Sequence, residues 1–574
     1  MVTLTQDFTN KLYFGDCLEW MPKWQEDSID LVYLDPPFNS NTNYNILFGK
    51  VKSKETHAQH QAFVDTWTWD DEAIKRFERM SKQTGKSYYK AIEGLHVILG
   101  GTGMLAYLTY MAERLEECHR LLKPTGSIYL HCDDTSVHYL KILMDAIFGA
   151  DRFLNDITWK RSTSHNDAKK FGRIADRILF YSKSDNFYWA GHEIAEKRST
   201  EELRKAYPLG EGMNSERWYR SDNLTGPGGG SPDSPSNQPW KGYEVYSRGR
   251  CWSAPKTGKY AEYIEKHFIS GYRAIQGIHD RLDALDKAGL IHHPKKGKDG
   301  WPGLKRYADA DQGNMPQSII LEPTGYTNFT KPNDAFNYPT RKPDKLLEKL
   351  IIAACKKGGL VLDPFCGCGT TIAAAMETER NWAGIDISTF AIETICERRF
   401  KNYDIKIEGI PSDMEGARRL MKESPYNFET WAINRIPGLV PNTKQSGDGG
   451  RDGEGLMIEK YARGSNLILA QVKGGKFHLK ELRDFGGVVV ANNAGMGIFI
   501  TMDPVDTKAA REYCLQLGKF KWGMDEYPRL MCWSIAEYFK NNKQPPKLPP
   551  MYNPQTGEKM SGAEQMSLKQ VNRT

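Results

Sequence analysis

At 574 residues the chain exceeds one domain on the usual scale of about 100–200 residues each, and 39% hydrophobic with 26% charged residues suits a globular enzyme rather than a disordered or fibrous protein. A mean hydropathy of −0.60, with no apolar run near the roughly 18 residues of a membrane helix, argues against a membrane-spanning protein. The net charge of +6 permits a polyanionic partner without requiring one.

Met1 to Asp7 carries neither the basic nor the apolar segment of a secretory leader. Ten cysteines without paired spacing suit free thiols in a reducing compartment. The expectation is a soluble cytoplasmic protein with no membrane partner.

Lys11–Phe14 reads as a strand, residues 17–24 as a helix, and Ile29–Leu34 as a strand that ends in Asp35-Pro36-Pro37-Phe38. Residues 39–56 are polar and loop-like. A helix with acidic capping residues starts at Asp70, and another covers residues 105–122 before Lys123-Pro124-Thr125-Gly126. Ser127–His131 is a strand, residues 135–148 a helix, and 156–159 with 177–181 a closing antiparallel pair. Alternating strands and helices predict an α/β sheet.

From about 189 to 333 the texture changes. Trp218, Tyr219, Trp240, Tyr243, Tyr246, Trp252, Tyr260 and Trp301 interleave with Arg220, Arg248, Arg250, Lys256 and Lys259. A basic cluster, Lys295-Lys296-Gly297-Lys298, follows. Such interleaving fits a surface that contacts phosphates and stacks bases; a small core with solvated cations fits equally.

The α/β pattern resumes at Tyr338-Pro339-Thr340-Arg341-Lys342-Pro343. A helix over 344–355 leads to the strand Leu360–Leu362 and then to Asp363-Pro364-Phe365-Cys366-Gly367-Cys368-Gly369-Thr370. Helices at 371–378 and 389–400 flank a strand, 381–385, that ends at Asp386. A glycine turn between strand and helix aims amides at a ligand. Asp386 stands near the offset at which nucleotide-binding sheets place a ribose-binding acid. The missing third glycine of the dinucleotide pattern favours a nucleoside ligand without pyrophosphate. Cys366 and Cys368, with no second ligand pair, make a poor metal site.

Ligands gather at the carboxyl ends of strands in open parallel sheets, so Asp35 and the glycine turn are candidates to face one crevice. An exocyclic amine on a base is a weak nucleophile. The Asp35 carboxylate and the Pro36 carbonyl can hold its two hydrogens, Pro37 adds rigidity, and Phe38 can stack on a flipped base.

These motifs resemble those of the DNA amino-methyltransferases of the β circular arrangement, over roughly residues 8–405. The resemblance implies a Rossmann-like sheet binding S-adenosylmethionine (SAM), with an inserted target-recognition region and double-stranded DNA as partner. By resemblance, Asp35, Pro36, Pro37 and Phe38 are catalytic, while Asp16 (in Gly15-Asp16-Cys17-Leu18-Glu19), Lys342, Asp363, Phe365, Gly367, Gly369 and Asp386 bind the cofactor. Phe63-Val64-Asp65-Thr66-Trp67 and Trp69 match a segment common in these enzymes. Asp at the head of the tetrapeptide favours adenine N6 over cytosine N4. Phe38 stands where Tyr is commoner, which keeps stacking and loses a hydroxyl.

Toward the C-terminus, Asp448-Gly449-Gly450-Arg451-Asp452-Gly453 precedes a strand bearing Gln471 and Lys473 on one face. This resembles the Mrr-type restriction endonucleases of the PD-(D/E)xK class, in an α/β nuclease-like domain. The resemblance implies Mg²⁺ held by Asp452 and Gln471, with Glu429 as an additional ligand, and Lys473 orienting a water. Gln in place of the commoner Glu removes one anionic ligand.

The expected division is 1–189 and 334–410 for the two halves of the methyltransferase, 190–333 for target recognition, 411–548 for the nuclease-like domain, and 549–574 for a tail. The expected function is a single-chain restriction–modification enzyme, and a homodimer is compatible with it. Two alternatives stand beside this: a solitary methyltransferase with an inactive nuclease-like DNA-binding domain, and a regulatory DNA-binding protein with a dead core.

Overall fold

The computed structural model describes residues 8–36, 67–162, 171–210, 217–228, 230–294, 300–323, 341–388, 391–392, 399–442, 450–458, 466–541 and 546–551. They fall into two compact units, one comprising residues 1–190 with 317–574, the other Gly191–Pro316.

The first unit is built on a nine-stranded sheet: β1 (Lys11–Phe14), β2 (Ile29–Leu34), β3 (Leu122–Cys132), β4 (Phe153–Lys160), β5 (Ala175–Ser182), β6 (Ile319–Ile320), β7 (Leu360–Asp363), β8 (Asn381–Asp386) and β9 (Lys406–Glu408). The spatial order is β6-β4-β5-β3-β2-β7-β8-β1-β9. All pairs from β3 to β9 are parallel, and β5 runs antiparallel to both neighbours. The closing antiparallel pair is therefore present.

All six residues of β2 are buried, as expected of a strand covered on both faces. Val32 and Leu34 pack with the helices α2 (Gly103–Leu121) and α3 (Val137–Phe148). Leu31 and Tyr33 point the other way, toward α4 (Asp344–Ala354) and α5 (Thr370–Glu377). At the amino ends of the strands, the Asp30 carboxylate accepts the Leu360 amide at 2.9 Å and the Lys123 ammonium at 2.6 Å. This ties β2 to β7 before their ladder begins.

Two elements depart from the sequence expectation. Residues 123–126 belong to β3, yet Ile29 pairs with Leu122 and Leu31 with Ser127, so they form an irregularity in the ladder. Pro124 has no N–H to give a ladder, which confines it to such a place. A helix at Tyr89–Leu99 was not legible. It buries Ile92 and Leu95 but exposes Val97 and Ile98 at 86% and 72%, so its apolar residues form no single stripe.

The C-terminal part of this unit has a five-stranded sheet: β10 (Val440–Pro441), β11 (Gly453–Leu456), β12 (Leu467–Lys473), β13 (Met496–Thr501) and β14 (Leu530–Ser534), in that order. It leans on the first sheet. Phe14 of β1 shares one apolar cluster with Trp431, Ile468 and Val472. Glu19, in the short helix α1 (Cys17–Trp20), accepts hydrogen bonds from Ser424 Oγ and Asn427 Nδ2, each at 2.9 Å. Asn427 lies in α6 (Pro425–Asn434).

The second unit holds a four-stranded antiparallel sheet, in the order Ile291–His292, Gly303–Tyr307, Trp218–Asn223, Leu209–Gly210, with helices Lys259–His267 and Ile278–Lys287. Tyr219, Trp240, Trp252, Tyr260 and Tyr307 are buried in its core. For Tyr219, Trp240, Trp252 and Tyr260 the core reading holds rather than base stacking. Basic side chains lie over several of these rings, as with Arg306, 4.5 Å from the Tyr260 centroid. The cluster 295–298 lies outside the described residues, and among those that are described no helix is long and apolar enough to cross a membrane.

Because Phe14 belongs to β1 and packs with α6 at once, Phe14→Ala should cost about 3–5 kcal/mol. Hydrogen exchange should speed up in β1 and in α6 together; acceleration in one alone would show that the two parts are not coupled through this ring.

Candidate active sites

The two chemistry-bearing motifs meet through sheet register. Val361 stands opposite Leu31 and Leu362 opposite Val32; continued, this register sets Asp363 level with Tyr33 and the start of the glycine turn level with Asp35, at the carboxyl ends of neighbouring parallel strands. Asp363 is level with Gly384, and Asp386 with Phe14. Asp35, Asp363, Asp386 and Asp16 thus line one edge in the strand order β2, β7, β8, β1. Pro37, Phe38 and 63–66 lie outside the described residues, as do 338–340 and most of the expected helix 389–400.

The glycine turn is tied to β8. The Cys366 amide donates to the Ile385 carbonyl at 3.0 Å, and the Gly367 amide to Asp386 Oδ2 at 2.8 Å. Gly367 and Gly369 have φ of +48° and +72°, where a side chain would be strained. Gly369 caps the start of α5. Asp363 Oδ1 accepts the Phe365 amide, and Asp386 Oδ1 the Ser388 amide.

Burial pushes the Asp386 carboxyl up to about 6, against the two amides that favour its charge. Burial pushes Asp363 up to about 7, with the Asp35 and Asp386 charges adding to the rise. Asp16 caps α1 through the Leu18 amide and pairs with Arg114. The Arg114 guanidinium lies 3.3 Å from the centroid of the Tyr110 ring, and that ring is 6.4 Å from Phe365. Cys366 and Cys368 are buried free thiols. Turn, acids and rings together form an edge of carboxylate acceptors and aromatic faces, a chemistry suited to a nucleoside carrying hydroxyl and amino donors.

On the Asp35 side, Lys342 Nζ lies 2.6 Å from Asp35 Oδ2. The motif suggested the cofactor for Lys342; its ion pair puts it against the tetrapeptide, just ahead of α4. Behind Asp35, on the same face of the sheet, the Tyr33 hydroxyl meets His131 Nδ1 at 3.0 Å and His131 Nε2 meets Asp176 Oδ2 at 3.2 Å. Burial works to raise the Asp176 pKa, but the His131 hydrogen bond and the nearby His131, Arg161 and Lys342 charges hold it below the usual value. Sequence reasoning missed this chain. His131 stands out in the sequence only as the end of a strand, and Asp176 belongs to no motif.

In the C-terminal sheet, Asp452 precedes β11 and its Oδ2 accepts the Val472 amide at 2.7 Å. The Gln471 side-chain amide donates to the Gly450 carbonyl at 3.2 Å. Gln471 and Lys473 are half-buried on one face of β12. Glu429 is half-buried on α6, whose Phe428 and Trp431 pack with Ala470 and Val472. Among the described residues no group of three or more His, Cys, Asp or Glu gathers to hold a metal. The donors at Asp452 and Gln471 are oxygens, which fits a hard cation that keeps much of its water.

Comparison with known proteins bears on both parts of the chain. A family model described as DNA methylase matches residues 100–397, more than half of the chain. The chain belongs to the DNA methylase family. A second model, restriction endonuclease, matches residues 420–519. The type II methyltransferase M.EcaI of Enterobacter cloacae is 32% identical over 302 residues, 51% of this chain and 57% of its own. The StyLTI Mod subunit of a type III restriction-modification enzyme of Salmonella typhimurium is 27% identical over 407 residues, 70% of this chain and 54% of its own. The chain thus spans about half the length of these two relatives. The DNA adenine methyltransferase YhdJ of Escherichia coli is 20% identical over 377 residues, 65% of this chain and 77% of its own.

A carboxyl whose pKa is raised by folding stabilises the fold while protonated, fully below about pH 4, and loses that contribution as pH rises through its folded value. For Asp363 that value is about 7. The unliganded protein should therefore lose stability between about pH 4 and 7, and Asp363→Asn should flatten this decline in melting temperature. An unchanged pH profile would show that Asp363 is ionised throughout.

Proposed function

We propose that this DNA methylase transfers a methyl group from SAM to the N6 amine of adenine in duplex DNA, and that its C-terminal domain cleaves DNA with Mg²⁺ in a restriction–modification system. The observation that carries the first part is the register of β2 and β7, which sets Asp35 beside the glycine turn. Gly367, Gly369 and Asp386 would hold the nucleoside end of SAM, with Phe365, Asp363 and Asp16 alongside. The cofactor supplies an electrophilic methyl group.

The chain's own work is orientation. The Asp35 carboxylate and the Pro36 carbonyl accept the two amine hydrogens and turn the nitrogen lone pair out of the ring. The Lys342 ammonium, 2.6 Å from Asp35 Oδ2, fixes the direction of that carboxylate, and the Tyr33–His131–Asp176 chain stiffens the strand end beneath it. Adenine is favoured by the Asp at the head of the tetrapeptide and by likeness to a relative named as an adenine methyltransferase.

In the C-terminal domain, Asp452 and Gln471 would hold Mg²⁺, Glu429 would add a ligand, and the Lys473 ammonium would orient the attacking water. A second reading, methyl transfer with an inactive nuclease-like domain, is favoured by Gln471 standing where an acid is commoner.

Incubation with labelled SAM and unmethylated genomic DNA, followed by sequencing for modified bases, tests the methyl transfer; N6-methyladenine at one motif is expected, and label on protein or RNA alone would refute it. Asp35→Ala should lower methylation on the order of 100-fold or more, with SAM binding by calorimetry retained. On unmethylated plasmid with Mg²⁺, Lys473→Ala should abolish cutting and leave methylation intact; nicking that survives would remove the nuclease assignment.

A further inference from the structure

The amino ends of the strands, away from the motif edge, border a cavity of about 290 Å³. Its walls include Asp30 of β2 and the segment 186–189 that follows β5, and exposed Lys356, just past α4, stands at its border. Asp30 and Asp35 lie at opposite ends of β2, roughly 16 Å apart along an extended chain, so this cavity is separate from the motif edge.

The segment is fastened at two points. The Tyr188 amide donates to the Thr125 carbonyl at 3.0 Å, and the Ala190 amide to the Ala353 carbonyl at 2.7 Å. Backbone packs closely on the acid as well: a Cβ added at Gly359 would stand 3.3 Å from the Asp30 carboxyl carbon.

Several groups here are unengaged. Asp30 is 6% exposed, and its Oδ2 takes both the Lys123 ammonium at 2.6 Å and the Leu360 amide at 2.9 Å. Its Oδ1 has no hydrogen-bond partner among the described residues and is not sealed from solvent. Lys356 has no ion-pair partner among the described residues. Trp189 rests on Phe180, ring centroids 5.8 Å apart, yet is 47% exposed.

A nearly buried acceptor oxygen calls for a donor. A half-open indole offers a stacking face to a base, and an unpaired ammonium attracts an anion. Because Lys123 already neutralises Asp30, Lys356 leaves the cavity with positive charge, which disfavours a simple organic cation. Donor, planar ring and anion together describe a nucleotide with an amino group on its base. The volume lies at the small end of ligand pockets, enough for one nucleotide unit.

We propose that this cavity binds one nucleotide unit carrying an exocyclic amine. The amine donates to Asp30 Oδ1, the base stacks on Trp189 and the phosphate pairs with Lys356. The site stands apart from methyl transfer and DNA cleavage and depends on neither. A free nucleotide and an unpaired nucleotide within a strand carry the same chemistry.

The test is titration calorimetry of the full chain with AMP, in saturating SAM so that the cofactor site is filled. AMP should bind, and UMP, whose base lacks the amine, should bind at least about tenfold more weakly. Trp189→Ala and Lys356→Glu, both at exposed positions, should each weaken AMP about tenfold or more and leave SAM affinity unchanged. A short single-stranded oligodeoxyadenylate separates the sources. Tighter binding of the oligonucleotide than of AMP, lost in the same two variants, assigns the site to an unpaired nucleotide in a strand; the reverse order assigns it to a free nucleotide. Equal affinity for AMP and UMP would overturn the proposal. So would unchanged affinity for both probes in the two variants, or binding of neither probe by the unsubstituted chain.

Discussion

The structure depends on one parallel ladder. Leu31 and Val32 lie beside Val361 and Leu362, and the Asp30 carboxylate secures the start of the pairing through the Leu360 amide. Parallel strands need a crossover connection, and here the connection includes an entire second unit. Because register along a strand has a period of two, a slip by one residue would turn Asp35 to the opposite face. The complete burial of β2 is what fixes that register.

Around this ladder the acids form a graded set. Asp35 is neutralised by Lys342 and Asp16 by Arg114. Asp363 and Asp386 instead meet mainly backbone amides and burial, and their pKa values rise. The same edge thus holds ion-paired carboxylates next to carboxyls whose pKa burial raises toward neutrality. Such separation of environments is typical of places where chemistry or binding is done.

Much of this was legible in the sequence. Ile29–Leu34 and Lys11–Phe14 coincide with their strands because each is a short apolar run bounded by polar residues. The glycine turn was legible because only glycine suits its backbone. The ion pair Lys342–Asp35 and the chain Tyr33–His131–Asp176 were not, because they join residues from distant strands. The helix Tyr89–Leu99 was hidden by its exposed Val97 and Ile98. Composition alone could not decide between core and surface for the aromatics of the second unit. It took packing to place Trp240 and Tyr260 inside, with Lys241 over the first ring and Arg306 over the second.

The bond from Glu19 to Ser424 and Asn427 limits how the chain can be divided. Glu19 sits three residues from Asp16, and burial already raises its pKa. A shortened protein ending near residue 410 would uncover the Phe14 ring and strip this carboxylate of both donors. The methylase half was shaped with its C-terminal neighbour in place, so exchanging that neighbour for an unrelated one would require a new surface for β1 and α1.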